Sequence, residues 1–60
     1  MRGIDLKLRR IERGIKQWEL ASRIGVSPQR VSLVENGRKP VTTEFARRYM
    51  EALEELAKES

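Results

Sequence analysis

A chain of 60 residues with 13 Lys and Arg against nine Asp and Glu, net +4 and pI near 10.1, has room for one small domain. It contains no cysteine, which excludes disulfides, zinc–thiolate sites and a thiol nucleophile, and no histidine, which removes the commonest metal ligand and neutral-pH general base. Little space remains for a substrate cleft, so no catalytic residue, cofactor, metal or small-molecule ligand is expected.

The first predicted helix runs from Ile4 or Asp5 to Arg13. Ile4, Leu8 and Ile11, with Ile15 beyond them, recur at steps of four, three and four. This makes one apolar stripe of the kind that faces a core, with Lys7, Arg9, Arg10, Glu12 and Arg13 on the other faces. Gly14 follows the last turn, where a left-handed residue is wanted, and Arg13 suits the negative end of the helix dipole.

A second helix is predicted over residues 17–24, with Leu20, Ala21 and Ile24 inward and Gly25 as its stop. Lys16 is a poor cap for its start. Trp18 lies off the inward face and is expected half-exposed, at the edge of the core rather than along a DNA backbone. The third helix has the clearest entry: Ser27 can cap it and Pro28 takes the first helical position, where its missing N–H is not needed. Val31 and Val34 face inward, and the helix ends at Glu35-Asn36-Gly37. Thr42 or Thr43 then caps a last helix over about residues 43–58, with Glu44 in its first turn. Phe45, Tyr49, Leu53, Leu56 and Ala57 form its stripe, with room for a break near its end. No strand is expected. The longest apolar runs are two residues, so neither a membrane span nor a signal peptide is expected, and the chain is read as cytoplasmic.

Only Gly25-Val26-Ser27 separates the second and third helices. That is too short for a relaxed antiparallel hairpin and suits a helix-turn-helix, with Val26 tucked between the two. Three elements, Gln17-Trp18-Glu19-Leu20-Ala21, Gly25-Val26-Ser27 and Glu35-Asn36-Gly37, stand in an order and spacing that resembles the helix-turn-helix domains of Cro and phage repressors, the XRE-like regulators. The likeness covers about residues 4 to 40 and is looser beyond Pro40. It implies an all-α fold, a compact four- to five-helix bundle like the lambda-repressor DNA-binding domain. Residues 1–60 then form one domain, with the helix-turn-helix at about 17–36.

The resemblance also implies that the third helix reads base edges in the major groove. With Val31 and Val34 inward, Gln29, Arg30, Ser32 and Leu33 lie outward. Gln29 can pair with adenine and Arg30 with guanine or a phosphate. Leu33 either closes the core or packs on a thymine methyl, and its place beside Gln29 and Arg30 favours the methyl. Gln17 matches a family position that contacts a phosphate at a helix N-terminus, with Lys16 adding charge. Asn36, Arg38 and Lys39 match a second phosphate clamp. Pro28 departs from the family, which often has Gln there, so operator sequence does not carry over. The residues matching Arg10 and Glu35 form a structural ion pair in relatives, and the same pair is expected here.

Charge is divided unevenly. Residues 1–43 carry ten basic and four acidic side chains, for +6, and residues 44–60 carry three and five, for −2. A basic body with an acidic end fits a polyanion-binding face and a second surface kept clear of it. The expected function is a sequence-specific double-stranded DNA-binding regulator, a repressor that binds a pseudo-palindrome as a homodimer. Met50, Leu53 and Leu56 exceed what a small core needs and mark the last helix as a candidate dimer surface. The alternative is a protein-interaction module of the same fold, or an antitoxin or controller protein, that places the basic helix on an acidic partner.

Overall fold

Caps and glycine stops delimit four helices in the computed structural model, which describes residues 1–59: α1 (Gly3–Glu12), α2 (Gln17–Ile24), α3 (Pro28–Glu35) and α4 (Thr43–Glu59). Ser27 Oγ accepts from the Arg30 N–H at 3.2 Å, and Thr42 Oγ1 accepts from the Phe45 N–H at 3.0 Å. Each hydroxyl satisfies one of the orphan donors of a first helical turn. Helix α2 starts without a capping side chain at Lys16. Glu19 instead reaches back to accept from the Lys16 N–H at 3.0 Å, which is half of a capping box. Gly25 ends α2 at φ 79°, a left-handed conformation that a side chain would oppose. The Arg48 guanidinium of α4 donates to the Ile24 carbonyl and satisfies another group at this end.

Helices α2 and α3 pack on each other across the three-residue turn. Helix α4 lies against α2, and α1 packs on α3 and α4. Leu6, Leu20, Val31, Tyr49 and Leu53 are the largest fully buried side chains and come from all four helices. Val26 packs against this core from the turn, as expected. Among the described residues there is no strand, and no helix is long and apolar enough to cross a membrane.

Helix α1 departs from its expected orientation. Its buried residues are Gly3, Leu6 and Arg10, whereas Ile4, Leu8 and Ile11 are 42%, 51% and 53% exposed. Only Ile15, beyond the helix, joins the core. Two local demands select the other face. A Cβ on Gly3 would lie 1.9 Å from the Val34 carbonyl oxygen and 2.9 Å from that of Glu35, so only glycine lets α1 rest directly on the end of α3. Seven residues on, Arg10 must be inside to meet a buried carboxylate.

Helix α4 is unbroken to Glu59. Tyr49, Ala52 and Leu53 are buried, Phe45 and Leu56 are half-buried, and Ala57 is exposed, so Ala52 takes the inward place expected of Ala57. Leu53 is inside the core, and Met50 and Leu56 pack against it while staying partly exposed. Trp18 is 60% exposed and outside the core. It stands with Glu19, Ser22, Arg23 and Leu56 along a shallow groove between α2 and α4, because its place on α2 points away from the Leu20-Ala21-Ile24 face.

Candidate nucleic-acid interface

The surface around α3 is built on a buried polar cluster. Arg10 of α1 donates to Glu35 through Nε at 2.9 Å and Nη2 at 3.1 Å, a forked pairing, and its Nη1 donates to the Ile15 carbonyl at 2.9 Å. Tyr49 Oη of α4 donates to Glu35 Oε2 at 2.5 Å, and Gln17 Nε2 of α2 donates to Glu35 Oε1 at 3.2 Å. The Glu35 side chain is 1% exposed and that of Arg10 is 10% exposed. Every buried side-chain polar atom of the described residues has a partner. Burial, the largest single influence on the Glu35 carboxyl, pushes its pKa up, but hydrogen bonds from Arg10, Tyr49 and Gln17 outweigh it and leave the pKa below the ordinary value. The Glu35 hydrogen bond raises the Arg10 pKa, and burial followed by the Glu35 hydrogen bond pushes the Tyr49 phenol well up. The Glu35 carboxylate thus lies inside the fold, paired with the Arg10 guanidinium as expected from the resemblance.

This cluster, with Val31 and Val34, pins one side of α3. Gln29 and Arg30 stand exposed on the other, near the capped N-terminus of the helix. Ser32 and Leu33 are half-buried. Ser32 Oγ accepts from Asn36 Nδ2 at 3.2 Å, so these two side chains brace each other. Leu33 lies outside the core cluster. Its carbonyl accepts from the N–H groups of Arg38 at 2.8 Å and Lys39 at 3.2 Å, which folds the following turn back onto the end of α3. Asn36, Arg38 and Lys39 are all exposed there.

At the other flank, Lys16 is exposed and the N–H groups of Gln17, Trp18 and Glu19 precede the first carbonyl bond of α2, from the Leu20 N–H to the Lys16 oxygen at 3.1 Å. Free donors and the positive dipole end favour an anion at such a place. The Gln17 side chain is half-buried, with its amide turned toward Glu35. Nothing in the sequence signals that contact. The apolar stripe of α4 puts Tyr49 in the core but does not name Glu35 as its partner, although a buried tyrosine hydroxyl ordinarily finds a polar one. On the far side, Arg23 bridges Glu55 at 3.2 Å and Glu59 at 2.6 Å, tying the acidic end of α4 to α2.

Comparison with known proteins gives one positive finding. A family model described as helix-turn-helix matches residues 6–59. No curated protein matches the chain, and no solved structure matches it.

Proposed function

The chain belongs to the XRE-type helix-turn-helix family, and on that premise we propose that it is a sequence-specific double-stranded DNA-binding repressor that binds a pseudo-palindromic operator as a homodimer. The observation that carries this reading is the two-sided character of α3. Val31, Val34 and Glu35 are locked inside while Gln29 and Arg30 project from its N-terminal half into solvent. In this family's docking mode, N-terminal residues of the second helix of the motif meet base edges. Gln29 and Arg30 then read bases in the major groove, Ser32 lies beside them, and Leu33 packs on a thymine methyl. Lys16 and the first N–H groups of α2, with Gln17, hold one phosphate; Asn36, Arg38 and Lys39 hold another.

Selection from random duplexes at ~150 mM salt tests the reading, because nonspecific phosphate binding is weakened there while base-specific binding survives. A two-fold symmetric motif is the expected result, and no enrichment would sink it. Once a site is known, Gln29→Ala should relax preference at one or two positions by ~1–3 kcal/mol. Lys39→Ala should weaken every sequence alike and lower the salt slope by about one.

A further inference from the structure

Helix α1 keeps an apolar stripe in solvent. Met1, 60% exposed, precedes the extended N-cap Arg2, and Ile4, Leu8 and Ile11, which are 42%, 51% and 53% exposed, fall at steps of four and three. That is the a/d spacing of a two-stranded coiled coil rather than a scatter of single surface residues. Gly3, Leu6 and Arg10 hold the opposite face inside, so the stripe looks outward along the whole helix. Lys7 flanks it on one side and Glu12 on the other, five residues apart, the spacing of the interhelical g-to-e ion pair. Among the described residues neither side chain has a hydrogen bond or ion pair. Asp5, on the Glu12 side, is occupied by the Arg2 N–H at 2.8 Å and the Arg2 guanidinium at 3.8 Å.

We propose that this face binds a second copy of the chain, α1 against α1, with the helices parallel about a two-fold axis that runs along them. Charge decides the direction. Parallel helices set Lys7 of each copy opposite Glu12 of the other, on both sides of the seam. Antiparallel helices set Lys7 opposite Lys7 and the Asp5–Glu12 flank against its own copy. The stripe is confined to one helix of ten residues, short for an interface that buries ~800 Å² per partner, so the pair is weak in free solution. On adjacent half-sites the effective concentration of one copy near the other makes even weak pairing effective. The inference rests on the dimeric DNA-binding reading for its purpose but not for its measurement.

Sedimentation equilibrium of the full chain at ~150 mM salt, from ~20 µM to ~1 mM, is the test. The expected result is a reversible monomer–dimer equilibrium. Leu8→Asp should abolish it with the helicity and urea midpoint of the dilute monomer little changed, since Leu8 is half-exposed and outside the core. Lys7→Glu should weaken dimerisation about tenfold, as expected of a like-charge contact at a seam, and adding Glu12→Lys should restore it. A monomer at every concentration, or a dimer indifferent to Leu8→Asp, overturns the proposal. A double swap no better than the single one overturns the parallel pairing. A dimer that Leu8→Asp abolishes, without any selected DNA motif, upholds this surface and removes the DNA reading alone; a motif bound by a strict monomer does the reverse.

Discussion

Glu35 is the residue on which most of the interior chemistry converges. A carboxylate this deep is tolerable only because three side chains donate to it. Arg10→Met would leave it charged and under-bonded, and should destabilise the fold by ~3–5 kcal/mol in urea titration. A loss under about half a kcal/mol would mean that water reaches the site despite the observed burial. Tyr49→Phe removes one donor and keeps the ring, so it should cost ~1–3 kcal/mol and weaken the hold on the Glu35 proton equilibrium. The Arg10–Glu35 contact was legible in the sequence only through resemblance, because nothing in the spacing of two residues 25 apart points to it. The Gln17 and Tyr49 contacts were not legible at all, since each residue already had a satisfactory role as a helix start and a core aromatic.

Helix boundaries were far easier to read than helix orientation. Ser27-Pro28, Thr42 and Gly25 act through local backbone chemistry, and α2, α3 and α4 stand within a residue or so of where these signals put them. Local chemistry does not say which side of a helix faces inward, and apolar periodicity is only a proxy for that. On α1 the proxy failed because the inner face is chosen by a backbone contact and a charge. A glycine and an arginine carry no hydrophobic signal, while three outward aliphatic residues carry a strong one. The close approach at Gly3 is therefore open to test: Gly3→Ala should cost ~2–3 kcal/mol, through displacement of α1 from the Val34 and Glu35 carbonyls. Leu8→Ala on the exposed side should change the stability of the isolated monomer by no more than ~0.5 kcal/mol. Equal effects at the two positions in dilute thermal melts would contradict the assigned orientation.

For the molecule as a whole, acid and alkali should act through the same cluster. The folded Glu35 pKa lies below its unfolded value, so its stabilisation is complete above ~pH 4.3 and fades as pH falls through the folded value. Tyr49 has the opposite sign: its folded pKa is raised, so stability is complete below ~pH 10 and declines above it, where only the unfolded chain ionises. Urea midpoints should be flat between these limits and fall at both ends. Glu35→Gln should flatten the acid limb and Tyr49→Phe the alkaline one. An acid limb of unchanged depth in Glu35→Gln would move its origin to other carboxylates. The Arg23 bridges to Glu55 and Glu59 are exposed and add little stability by themselves, but they draw the acidic end of α4 onto the side of α2.

One carboxylate on α3 accepts bonds from α1, α2 and α4, and this bears on how the chain can come apart. Detaching any of these three helices strips a donor from a buried anion, so a partial opening is penalised much as a full one is. Independently melting segments then have no cheap way to exist, and the slowest amides of all four helices should exchange through a single global event. For the DNA-binding role proposed here, the consequence is entropic. The helix offered to the groove is already rigid before it arrives, and little conformational freedom is left to lose on contact.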